Sequence, residues 1–197
     1  MRIERFIEGS LEANGYIIWQ QDGGPAFIID PGYAAARYQD FVKQHALKPA
    51  AILLTHTHSD HSGKAAILAD AFGCPIQAHR EELDYYKGRV DELLEGGEAL
   101  DLGDEEIRVF HTPGHTAGGL CFYSEKSSVA FTGDTIFNVD LGYTHFPGGS
   151  AARMKRSLRE VVDKWGNGIT IYPGHGDPAT MKTVREINAE FNEMVAG

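Results

Sequence analysis

Apolar and polar residues recur along this chain with two different periods. Alternating stretches closed by glycine, proline or aspartate predict strands at residues 16–20, 26–30, 50–54, 75–79, 107–111, 120–124, 128–134 and 169–174. Spacings of three and four residues predict helices at about 34–46, 62–72, 80–94, 151–164 and 180–195. Strands and helices interleave, which is the pattern of a mixed α/β domain. Both halves also carry an apolar strand ending in aspartate and a turn, AFIIDPG and VAFTGDT. A weak internal duplication follows, as expected if two sheets pack together with helices outside and a site between their edges.

Composition narrows this picture. The chain has 197 residues, 42% of them hydrophobic, enough for a well-buried core in one domain spanning residues 1–197. Its 23 glycines are spread through turns and form no low-complexity tract. Eighteen basic against 28 acidic residues give a formal charge of −10, which repels a polyanion and argues against nucleic-acid binding. The one basic cluster, RMKRSLR, reads as a solvated helix face. The N-terminus MRIERFIEGS lacks the apolar stretch of a secretion signal, and no run approaches a membrane span of about 18 residues. Cys74 and Cys121 are too few for a disulfide framework and read as buried free thiols. The expected compartment is the cytoplasm, with no membrane partner.

The candidate chemistry lies at THTHSDHSG, directly after the apolar run AAILL. It places His56, His58, Asp60 and His61 within one short stretch, and no turn or cap motif requires three histidines. Imidazoles and a carboxylate packed so tightly point to a metal ion. Adjacent residues cannot surround an ion, so more ligands must come from elsewhere. His115 in HTPGHT, Asp134 in FTGDT and His175 in YPGHG each follow an apolar, strand-like segment in a glycine-containing turn. Taken singly, each reads as an ordinary loop histidine or a turn aspartate, and Asp30 in FIIDPG shares that ambiguity. His45, His79 and His111, at a helix end and two strand ends, read as structural or solvated.

HTHSDH, TPGHT, TGDT and YPGHG, in this order with DPG upstream, resemble the metallo-β-lactamase-fold superfamily and, within it, the small glyoxalase II-like hydrolases. The resemblance implies a four-layer αββα sandwich. It also implies a pair of divalent metal ions, zinc by preference with iron or manganese as alternatives. His56, His58 and His115 would hold one ion, Asp60, His61 and His175 the other, and Asp134 both. Asp60 and Asp134 are then the carboxylates of the catalytic centre. The implied reaction is attack of a metal-bridging hydroxide on an acyl carbon. Metal binding takes the pKa of water from about 16 to about 7, roughly 12 kcal/mol of hydroxide stabilisation.

A small-molecule thioester is the leading substrate class, because a thiolate leaves without obligatory protonation. The chain has no GxSxG nucleophile elbow to compete with this chemistry. Tyr143 and His145 stand where short bacterial relatives carry an arginine and an aspartate, and they are read as substrate-lining residues. The alternatives are a lactone hydrolase and an iron-dependent persulfide dioxygenase. The dioxygenases usually end in PAHD, whereas this chain reads YPGHG, which favours the hydrolase. β-Lactamases generally lack an aspartate like Asp134.

Overall fold

The computed structural model describes residues 1–196. One sheet contains β1 (Arg2–Glu8), β2 (Ala13–Trp19), β3 (Pro25–Ile29), β4 (Lys48–Leu53), β5 (Ile76–His79) and β6 (Glu92–Leu94), side by side in that order. The second runs in the order β12-β11-β10-β9-β8-β7, built from β7 (Ala99–Asp101), β8 (Glu106–His111), β9 (Leu120–Ser124), β10 (Val129–Gly133), β11 (Thr170–Pro173) and β12 (Ala179–Thr180).

The side-chain alternation of the strands creates the layers. In the first sheet Ile17, Ile28 and Ile52 face outward onto α1 (Ala35–Gln44) and α3 (Ala65–Phe72), where Tyr38, Val42 and Leu68 complete an apolar cluster. Their neighbours Ile18, Phe27, Ile29 and Leu53 point the other way and meet Ile107, Val109, Leu120, Phe122 and Phe131 of the second sheet. Cys121, Ala130 and Ile171 turn outward again, onto Met154 and Leu158 of α4 (Ala151–Glu160), Val184 of α5 (Met181–Ile187) and Phe191 of α6 (Ala189–Ala196). A one-residue slip in any central strand would move its apolar set into the wrong layer. The result is the expected αββα sandwich. No helix of the described residues is long and apolar enough to cross a membrane.

The duplicated motif also has a structural counterpart. β3 and β10 each end at an aspartate, Asp30 and Asp134, and each pairs in parallel with the strand that follows it across a helical connection, β4 and β11 respectively.

Several predicted elements differ. The expected helix at 80–94 is a single 3-10 turn, Arg80–Asp84, followed by the edge strand β6, which pairs in parallel with β5. Leu83 and Leu93 gave the segment its helical spacing but stay partly exposed, while Leu94 is drawn into the core between the sheets. Tertiary pairing overrode the local pattern. The expected helix at 180–195 breaks at Asn188, whose amide donates to the carbonyls of Phe137 and Asp140 while its side-chain oxygen caps Phe191 N–H. The expected helix at 62–72 starts later, at Ala65, and a separate short helix, α2 (Ser59–Ser62), precedes it. Strands β1, β6, β7 and β12 lie outside the predicted set; β1 is two-faced with a single core aromatic, and the other three are only two or three residues long.

Candidate metal centre

Every histidine and aspartate of the candidate site lies just beyond the C-terminal end of a strand. His56, His58, Asp60 and His61 follow β4, His115 follows β8, Asp134 follows β10 and His175 follows β11. The strands hold these loops to a common edge, so seven side chains spread over 120 residues of sequence meet at one point. His58 Nδ1 lies 2.9 Å from His115 Nε2, and His61 Nε2 lies 3.2 Å from His175 Nε2. Asp134 sits between the groups: Oδ2 is 3.4 Å from His115 Nε2, 3.6 Å from His175 Nε2 and 3.9 Å from His56 Nε2, and Oδ1 is 3.6 Å from His61 Nε2. Asp60 Oδ2 lies 3.3 Å from His175 Nε2 and 3.5 Å from His61 Nε2.

The backs of the rings are held by other groups. His56 Nδ1 is 3.1 Å from Thr55 Oγ1, and His61 Nδ1 is 3.4 Å from Asp30 Oδ2. His115 Nδ1 donates to the Tyr143 carbonyl at 2.7 Å, and His175 Nδ1 to the Leu11 carbonyl at 3.0 Å. Fixing one nitrogen of an imidazole turns the other toward its ligand. Four rings therefore present Nε2 inward and His58 presents Nδ1.

These donors fit two cations. They form two trios, His56–His58–His115 and Asp60–His61–His175, each with its donor atoms within 4.8 Å of one another, and Asp134 reaches both. His56 Nε2 and Asp134 Oδ1 are buried without a hydrogen-bond partner. Left so, each costs about 1–3 kcal/mol, and more for a charged group, which cations held by the two trios would offset. Burial, reinforced by the neighbouring histidines, pushes His56 well below the ordinary histidine range, and burial together with His115 lowers His58, so both favour the neutral form that ligates. Around His61 burial acts in the same direction, but Asp134, Asp30 and Asp60 outweigh it and raise the ring to about 9. Burial would raise Asp60, yet hydrogen bonding to His175 and the charge of His61 bring it down to about 2.

Another group of possible ligands, His79, Glu81 and His111, is different in kind. Its rings stack at 3.8 Å, His79 Nδ1 accepts from Glu81 N–H, His111 Nε2 donates to the Ala117 carbonyl, and Glu81 is paired with Arg153 at 2.8 Å. None of its polar atoms is among the buried groups left without a partner. This trio serves as packing between the ends of β5 and β8.

A cavity of about 500 Å³ opens over the centre, lined by His58, His115, Asp134 and His175 below and by Leu11, Phe137, Leu141, Tyr143 and Phe146 around its mouth. No lysine or arginine of the described residues lines it. Tyr143 is on this rim with its side chain 69% exposed. His145 instead faces an adjoining cavity of about 550 Å³ beside Lys155 and Glu190. The ring next to the site is that of Phe146, with centroids 5.6 Å from His58 and 6.0 Å from His115. Leu11 and Phe146 carried no signal in the sequence, because only the folded loops bring them to the site.

The model of the metallo-beta-lactamase superfamily matches residues 9–175, a span that holds every one of these donors. The chain belongs to that superfamily. A probable polyketide biosynthesis zinc-dependent hydrolase, BaeB of Bacillus velezensis, is 35% identical over 81% of this chain and 71% of its own length. Among solved structures, the B3 metallo-beta-lactamase BLEG-1 superposes over all of both chains with a TM-score of 0.88 at 28% identity. TTHA1623, solved in a di-iron-bound form, superposes with a TM-score of 0.83 at 28% identity, over 94% of this chain and 98% of its own. This superfamily member therefore shares its architecture with a B3 metallo-beta-lactamase and with a protein solved in a di-iron-bound form.

Proposed function

We propose that this protein is a metal-dependent hydrolase that cleaves a small-molecule thioester. The observation that carries the reading is the convergence of five imidazoles and two carboxylates at one point, where His58, His115, His175, Asp60 and Asp134 line one open, largely apolar cavity and His56 and His61 lie buried beneath it. Two divalent cations held there, zinc by preference with iron or manganese as alternatives, supply a water acidic enough to react at neutral pH and an electrophile for the carbonyl oxygen. A zinc-dependent relative supports a metal-dependent reaction, and a di-iron structural neighbour supports a pair of ions.

The chain's own residues would divide the work. His56, His58 and His115 would hold one ion, Asp60, His61 and His175 would hold the other, and Asp134 lies within reach of both trios. Asp30, Thr55 and the carbonyls of Tyr143 and Leu11 fix the rings. Leu11, Phe137, Leu141 and Phe146 surround the acyl group and exclude water from its far side. In the net reaction a water adds its oxygen to the acyl carbon and gives up one proton, the C–S bond breaks, and the departing thiolate takes up a proton, leaving a carboxylic acid and a thiol.

The rim also constrains the substrate. Its one acid beyond the inner donors, Asp140, faces no cation on the lining, and burial together with Glu190 raises its carboxyl above the usual range. An uncharged, apolar acyl thioester on a small neutral thiol fits this mouth better than a carboxylate-rich carrier such as glutathione. A lactone is the second reading, because the same cation-free cavity accommodates a ring ester. Purified, metal-analysed protein should be offered acyl thioesters, glutathione thioesters, lactones and persulfides, with thiol, acid and oxygen followed separately. Thiol release without oxygen uptake is expected; acid formation from lactones alone selects the second reading, and oxygen uptake on persulfide excludes both.

A further inference from the structure

Glu82 is 2% exposed and lies in the 3-10 turn after β5, behind the metal centre and outside its cavity. No cation is paired with it. Its carboxylate instead accepts three hydrogen bonds from two loops. Oε2 takes Thr57 N–H at 2.9 Å and the Thr57 hydroxyl at 2.5 Å, and Oε1 takes Gly118 N–H at 3.0 Å.

Both loops carry ligands. Thr57 stands between His56 and His58 on the loop after β4 in the first sheet, while Gly118 lies three residues after His115 on the loop after β8 in the second. The approach is close: a Cβ on Gly118 would come within 3.0 Å of the Glu82 side chain and backbone. Glu82 is itself held from both sides. Tyr86 N–H donates to its carbonyl at 2.9 Å, and its neighbour Glu81 is paired with Arg153 of α4 at 2.8 Å. One carboxylate thus spans the divide between the sheets at the level where His58 Nδ1 and His115 Nε2 meet at 2.9 Å.

We propose that Glu82 is a positioning residue that sets the spacing between the His56–His58 loop and the His115 loop, and through it the affinity of that trio for its metal ion. The inference rests on the metal-centre reading above. A bond between packed groups in the core would stabilise the fold whether or not metal binds; a tie between two ligand loops acts on the folded protein's affinity. Groups that orient ligands from behind typically change metal affinity by about 10- to 100-fold when removed.

The test uses the full chain loaded with zinc and titrated against a chromogenic zinc chelator, with thermal unfolding of the loaded and metal-free forms alongside. Glu82→Gln keeps the size and the acceptor for Thr57 but turns an NH2 group toward Gly118 N–H. It should lower the affinity for one of two zinc ions by about 10- to 100-fold while the metal-free variant still unfolds cooperatively. Cobalt(II) in the same site should show an altered visible absorption band. Thr57→Val, which removes one of the three bonds, should cause a smaller loss, and the double variant should be no weaker than Glu82→Gln. Zinc affinity of Glu82→Gln within twofold of the parent, or losses that multiply fully in the double variant, overturns the proposal. If Glu82→Gln does not fold, Thr57→Val decides alone: reduced zinc affinity supports the role and unchanged affinity overturns it. A parent protein that binds neither zinc nor iron nor manganese overturns the metal-centre reading itself, an outcome distinct from equal binding by parent and variant.

Discussion

His115 Nδ1 donates to the carbonyl oxygen of Tyr143 at 2.7 Å, across 28 residues of sequence, and so leaves Nε2 turned toward His58 and Asp134. The bond belongs to the Tyr143 backbone, whereas the Tyr143 side chain stands exposed at the cavity rim. The two parts of one residue therefore separate. Tyr143→Phe should leave metal content unchanged and shift substrate preference, read as kcat/KM across acyl thioesters of differing polarity. A change in metal content with no change in preference would contradict this division.

Asp134 lies within 3.4–3.9 Å of ring nitrogens of both trios. Asp134→Ala should reduce the loading of both metals and abolish thioester hydrolysis, measured by elemental analysis and thiol release. Full loading with parental activity would rule out the shared role.

Removal of metal with a chelator should inactivate the protein, because the proposed reaction draws its nucleophile from a water made acidic by the metal pair. Zinc, manganese or iron should restore turnover when added back. Undiminished hydrolysis by metal-free protein would remove the metal from the reaction.

Gly174 precedes His175 and lies against Asp134, where an added Cβ would collide with Oδ1 and come within 2.9 Å of His61. Gly174→Ala should displace the Asp134 carboxylate, cost about 1–3 kcal/mol of stability and weaken metal binding. Denaturant unfolding together with metal analysis checks both. Unfolding and loading equal to the parent would show that the loop yields without disturbing the site.

The Cys121 thiol is fully buried, and burial pushes it up to about 11 against the opposing hydrogen bond of Thr112. In the unfolded chain the thiol ionises near 9 while the folded thiol stays neutral, so its contribution to stability is complete below about pH 9 and is lost as pH rises through 11. Iodoacetamide at pH 8.5 should leave Cys121 of the native protein unmodified in peptide mass spectra. Cys121→Ser should flatten the decline in stability between pH 9 and 11. Rapid alkylation of the native protein would contradict the burial.

The short motifs and the strand periodicity make most of this molecule legible in the sequence. HTHSDH, the glycine turns around His115 and His175, and the aspartates closing β3 and β10 all depend on local chemistry: ligand type, turn geometry and alternate burial. The central strands could be read because each pleated segment is covered on one or both faces. What sequence alone left open was settled by contacts between distant segments. Edge strand β6 exists because β5 offers it a free ladder, against a helical spacing. The break at Asn188 exists because two carbonyls of the loop at 137–140 need its amide. Phe146 stands beside the metal donors while His145 faces the adjoining cavity, since a loop's side-chain directions follow its tertiary anchor points. Glu82 is the fullest instance: its residue type and position carry no local signal, and its three hydrogen bonds arise only when two sheets bring their loops together.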